Sequence, residues 1–130
     1  MWREELPKNC PPKTATELNQ DVFRILENDI STSDDFTPYV KLYPDNKRYK
    51  SLCKAHAISF YDNVENAKDA YKIALKRGRT IGHYIGKFAL ATTDGKSEYT
   101  STNGHYSTWF YASWDFKNFY CSFVTSINDN

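Results

Sequence analysis

No apolar stretch in this chain approaches the roughly 20 residues that a membrane-crossing helix needs. The opening segment, MWREELPKNCPPK, lacks the apolar core of a secretion signal. There is no Cys-x-x-Cys pair, no internal repeat, no low-complexity tract and no Gly/Ser-rich linker. These absences argue against a membrane-spanning protein and leave no place for a domain boundary. Cys10, Cys53 and Cys121 are odd in number and far apart in sequence. Free thiols in a reducing compartment are therefore expected, and with them a soluble, cytoplasmic protein.

What is present in quantity is aromatic: Phe, Trp and Tyr make up 16% of the 130 residues, enough to build a core from rings. The formal charge of +1 conceals a segregation. Residues 1–46 carry a net −4, residues 47–96 a net +7 and residues 97–130 a net −2. A basic middle segment suits an anionic ligand such as a dinucleotide phosphate or a nucleic acid. The plainer reading is that Lys68, Lys72 and Lys76, four apart, solvate the outer face of a helix.

Residues 1–20, punctuated by Pro7, Pro11 and Pro12, are expected as an extended arm, and 21–130 as a single domain. Val22–Leu26 alternates like a short strand. Ser31–Asp35 offers N-caps for a brief helix carrying Phe36, Tyr39 and Val40, and residues 44–52 read as a charged loop. Ala57–Tyr61 is a second strand. Asp62 and Glu65 have capping-box spacing before an apolar stripe of Val64, Ala67, Ala70, Tyr71, Ala74 and Leu75, and Gly78 stands where a C-terminal cap belongs. Asp94-Gly95 and Asn103-Gly104 are hairpin turns between later strands. Helices early and strands late predict an α+β fold: a twisted, mostly antiparallel sheet with two to three helices.

Two polar residues stand out within apolar strands. Arg24 in VFRIL carries a planar fork of donors suited to phosphate or carboxylate, unless it only reaches water or Glu27. Ser59 in AISFY precedes the predicted helix, where a small hydroxyl can bond a ribose without crowding it; the plainer alternative is a serine bonded to backbone. No Gly-x-Ser-x-Gly elbow surrounds it, which excludes the usual serine hydrolase. Cys53-x-x-His56 is half of a zinc pattern, with His83, His105 and Cys121 scattered; no metal is expected. His105 precedes a probable strand and is a candidate acid or base. The aromatic tail, with Trp109, Trp114 and Phe119, reads first as core. Any exposed remainder would be a surface for a protein partner. The tail carries only Lys117 as a cation, so nucleic acid is not expected there.

In order and spacing, VFRIL, AISFY, NVENAKDAYKIAL and HYIGKFAL resemble the ADP-ribosyltransferase-like fold over about residues 20–92. NCPPKTA and the Arg24 strand are also similar to segments of small uncharacterised bacterial proteins. The resemblance implies NAD as cofactor, with Arg24 on its phosphate or ribose and Ser59 supporting the nicotinamide-side ribose. It also implies a late catalytic glutamate, and Glu98, with His105 assisting, is the candidate. Glu98 is the only glutamate after Glu65 and lacks a paired acid. The expectation is thus an ADP-ribosyltransferase-like protein that binds NAD, transfer-competent or degenerate. The alternative is a non-enzymatic module of antitoxin or immunity type that binds through its aromatic C-terminal region.

Overall fold

The computed structural model describes residues 1–127; the domain expected over 21–130 is followed as far as Ile127, and 128–130 lie outside the described residues. Strands β1 (Gln20–Leu26), β2 (Ile58–Tyr61), β3 (Tyr84–Leu90), β4 (Gly95–Thr100), β5 (His105–Phe110) and β6 (Cys121–Ser126) form one sheet in the order β4-β5-β2-β1-β3-β6. Every neighbouring pair is antiparallel. The fold is α+β, as the sequence predicts.

Burial follows the alternation along each strand. One face carries Val22, Leu26, Ile58, Phe60, Phe88, Tyr106 and Phe110, closed over by Phe36 and Phe119. Phe36 is the hub of this core, edge-on to Phe88 at 5.3 Å and to Phe119 at 5.6 Å between ring centroids. Each such pair adds about 0.5–1.5 kcal/mol beyond its area burial. The opposite face carries Phe23, Ile25, Tyr61 and Ile85 against Ala67 and Tyr71 of helix α3 (Val64–Lys76). Small Ala67 lets the helix lie close to the sheet.

Several local expectations are corrected. The N-cap of α3 is Asn63, whose side chain accepts from the Asn66 amide at 2.8 Å. Asp62 is drawn away to the Asn66 side-chain amide and the Tyr99 hydroxyl, both at 2.7 Å, so no capping box forms with Glu65. The brief helix expected from Ser31 onward is two pieces, a 3-10 turn at Ser33–Phe36 and helix α1 (Tyr39–Leu42), because Pro38 lacks the amide that would continue the first. Residues 44–52 are not all loop. Helix α2 (Lys47–Ser51), capped by Asn46, precedes a 3-10 turn at Cys53–His56. Two of the turn glycines hold: Gly78 (φ +76°) lies just past Arg77, the C-cap of α3, and Gly104 (φ +66°) turns the chain into β5. Gly95 instead opens β4, which pairs with β5 and not with β3, so Asp94-Gly95 closes no hairpin.

Two findings bear on function. Cys10 and Cys53 are joined by a disulfide, not left as free thiols; Cys121 is the free one. The bond ties the N-terminal arm to the turn at Cys53–His56. The arm also lies along the sheet through bridges Trp2↔Tyr111 and Thr16↔Ser97. The aromatic tail divides: Trp109 and Phe119 are core and Trp114 packs partly buried against it, whereas Tyr99, Tyr120 and Phe123 are exposed. Trp109 is 1% exposed, its indole NH donating to the Cys53 carbonyl at 3.0 Å; Phe119 is 4% exposed, and Trp114 stacks on Phe110 at 4.2 Å. Among the described residues no helix is long and apolar enough to cross a membrane.

Candidate functional site

The sheet forks at its centre. β1 pairs with β3 along its whole length, from Gln20↔Leu90 to Leu26↔Tyr84, but with β2 only at Phe23↔Tyr61. Beyond that pair β1 and β2 separate, and a groove of about 710 Å³ opens at the fork. That lies within the roughly 300–1,000 Å³ of small-molecule sites. Its walls include Ile25, Ser59 and Tyr61 from the strands, Tyr39, Tyr43, Tyr49 and Lys54 from the α1–α2 region, and Arg79–Ile81 after α3. A second depression of about 370 Å³ shares Tyr39, Tyr61, Arg79 and Ile81 with it and adds Asn66, Asp69 and Arg77.

Arg24 spans the fork. Its side chain leaves β1 on the Val22/Leu26 face and lies 5.5 Å from the Phe36 ring centroid. Nε and Nη2 donate to the Asp35 carbonyl at 2.9 and 2.6 Å, and Nη1 donates to the Ser59 carbonyl at 2.7 Å. Burial lowers its pKa to about 10, with Asp35 acting in the opposite direction, so it remains a cation at neutral pH. The guanidinium therefore has a structural duty: it holds the 33–36 turn and β2 together across a gap that backbone pairing leaves open. It also borders the groove.

Ser59 points to the opposite face, with Tyr61 and Ile25. The two predicted site residues thus rise from opposite sides of the sheet and meet only where the fork lets the guanidinium through to the Ser59 carbonyl. The Ser59 hydroxyl is bonded to His105 Nε2 at 2.9 Å, and the imidazole packs edge-on to Tyr61 at 5.3 Å. The pairing follows from register: Tyr61 stands opposite His105 and Ser59 opposite Ser107, which makes Ser59 and His105 diagonal neighbours on one face. Burial, then the nearby charges of Lys54 and Arg24, lower the His105 pKa from 6.5 to about 4, leaving a neutral ring at pH 7.

This has a direct consequence for stability. Between about pH 6.5 and 4 the unfolded chain takes up a proton at this position that the folded chain refuses. His105 should thus cost nothing above pH 7 and up to about 1.4 kcal/mol per pH unit as the pH falls through that window. Urea unfolding at pH 7, 6, 5 and 4 checks it: the slope of His105→Gln should be shallower than that of the parent by that amount.

Glu98 is not brought to the groove. It stands on β4, where it accepts a 2.5 Å hydrogen bond from the Thr14 hydroxyl of the arm. The acids on the groove walls are Glu27 and, in the adjoining depression, Asp69. The half zinc pattern is otherwise engaged, Cys53 in the disulfide and His56 Nδ1 on the Leu52 carbonyl at 2.8 Å. Among the described residues no group of three or more His, Cys, Asp or Glu is placed to hold a metal ion.

Sequence reasoning missed the tyrosines. Tyr39, Tyr43 and Tyr49 stand with their ring centroids 6.0 Å apart pairwise, and Tyr39 and Tyr43 are 47% and 56% exposed. With half-exposed Leu42 they form an aromatic rim on the groove. The cations were partly legible, since Lys54, Arg77 and Arg79 belong to the basic middle segment, whereas Lys72 and Lys76 are indeed solvated on the outside of α3. Comparison with protein-family models, curated proteins and solved structures finds no match to this chain.

Proposed function

We propose that the protein binds NAD, or a dinucleotide closely like it, in the groove at the β1/β2 fork, as an ADP-ribosyltransferase-like protein without transferase chemistry. The observation that carries this reading is the joint presence of cations and rings along one cleft. Arg24, Lys54 and Arg79 supply positive charge for a pyrophosphate, and the tyrosine rim supplies flat apolar surface for a base. The adjoining depression, which shares Tyr39, Tyr61, Arg79 and Ile81 with the groove, gives a second compartment for the other half of a two-part ligand. Transfer of ADP-ribose passes through an oxocarbenium-like state, which a carboxylate stabilises by its charge. Glu98 lies outside the groove walls, so binding is supported and transfer through Glu98 is not.

A protein-binding role through Trp109 and Phe119 has little surface to work with, because those two rings are buried; partly buried Trp114 and the exposed rings of Tyr120 and Phe123 are what the tail offers a partner. The disulfide supports an oxidising compartment, where such bonds persist, over the cytoplasm expected from the sequence.

Thermal unfolding with added nucleotide tests the proposal. NAD at 100 times its Kd should stabilise the fold by about 2.7 kcal/mol and raise the Tm accordingly. The double variant K54A/R79A, which changes two exposed side chains, should keep the parent Tm without ligand and lose most of the NAD-dependent rise. No rise at millimolar NAD, or one that the double variant shares in full, would rule the groove out.

A further inference from the structure

Ser59 and His105 are placed for more than holding a ribose. A strand serine ordinarily bonds to nearby backbone. This one is bonded instead to His105 Nε2 at 2.9 Å, and Ser59 itself lines the groove while His105 stands behind it. A hydroxyl within hydrogen-bond reach of a neutral imidazole is the arrangement of an activated nucleophile. The charge around it selects the bond it can attack. Arg24 Nη1 is 2.7 Å from the Ser59 carbonyl, and Lys54 lines the same groove. Cations so placed favour a reaction centre that gains negative charge, as phosphorus does when a nucleophile adds. They disfavour a glycosidic carbon, which gains positive charge.

We propose that Ser59 is the nucleophile, and His105 its base, for hydrolysis of the pyrophosphate bond of a bound dinucleotide; the proposal rests on the groove being a dinucleotide site. In the first step the Ser59 Oγ–P bond forms at the adenylyl phosphorus and the bridging P–O bond breaks. The hydroxyl proton passes to His105 Nε2 and the mononucleotide leaves, taking that proton on its phosphate. In the second step water adds to phosphorus, the Oγ–P bond breaks, and the water proton returns through His105 to Ser59. One water is consumed, and NAD yields AMP and nicotinamide mononucleotide. Burial is the main cause of the depressed imidazole, and a bound pyrophosphate offsets the smaller contributions of Lys54 and Arg24.

Incubation of the full, oxidised chain with NAD, with products separated by chromatography, tests this together with the thermal assay. The expected result is AMP and nicotinamide mononucleotide in equal amounts, a loss of 100-fold or more in Ser59→Ala and His105→Gln, and a retained NAD-dependent Tm rise in both. Should Ser59→Ala fold poorly, intact-mass analysis of the parent during turnover is the second arm, and it should show one adenylyl group on the Ser59 peptide. An NAD-dependent Tm rise with no products, or with nicotinamide and ADP-ribose instead, overturns the proposal and leaves the binding reading standing. No Tm rise and no products overturn both.

Discussion

Replacing Cys10 and Cys53 together by serine is expected to remove about 4 kcal/mol of unfolding free energy. The disulfide closes a loop of 43 residues, and cross-linking a loop of that length restricts the unfolded chain by that amount in the chain-entropy account. The effect should extend beyond stability. Helix α2 and the Cys53–His56 turn carry Tyr49 and Lys54 on the groove wall, and the disulfide is their covalent tie to the arm. Apart from it, the turn is pinned to β5 by the indole of Trp109 on the Cys53 carbonyl. NAD affinity should therefore fall together with stability. Urea unfolding with and without a reductant measures the first quantity, and calorimetric titration under the same two conditions the second. An unchanged unfolding midpoint in reductant would contradict the account.

Arg24→Met is expected to cost about 2–4 kcal/mol, with most of the loss in the contact between β1, β2 and the 33–36 turn. The methionine keeps a similar apolar stem against Phe36 but leaves the Asp35 and Ser59 carbonyls without three charge-assisted donors. Removing the cation without its partners is the costly direction, since those carbonyls are then left partly buried and unpaired. Arg24 is therefore a poor residue on which to test ligand binding, and the exposed pair Lys54 and Arg79 is the better one. Urea unfolding of Arg24→Met against the parent checks the magnitude; a loss under about 0.5 kcal/mol, typical of surface changes, would show that the guanidinium is not a strut.

The outline of the fold was legible because local rules carried it. Val22–Leu26 and Ala57–Tyr61 alternate, α3 has its apolar stripe, and Gly78 and Gly104 occupy left-handed positions that favour glycine. The cap of α3 was misread by one residue because Asp62 has better-placed partners in Asn66 and Tyr99, the latter 37 residues away. The disulfide was illegible for the same kind of reason: two cysteines 43 residues apart carry no spacing signal. Trp109, Trp114 and Phe119 could be named but not placed, since alternation says which residues share a face and not what covers it.

At the candidate site, Arg24 and Ser59 were found from polarity within apolar strands, and both border the groove. Their roles were not. A strand pattern does not reveal that β1 and β2 share a single residue pair, and the fork is what sends Arg24 to backbone carbonyls. The bond between Ser59 and His105 depends on register across β2 and β5. The tyrosine rim comes from helices of four and five residues, too short for any periodicity to announce.

The claim on which the functional account depends is that a dinucleotide occupies the fork. Titration of the isotope-labelled, oxidised protein with NAD, followed by amide resonances, tests it most directly. The account predicts saturable shifts at Arg24, Tyr39, Lys54, Ser59, Tyr61 and Arg79. Spectra that do not change up to millimolar NAD, or shifts confined to the far edge around Ile30, Phe116 and Tyr120, would contradict it.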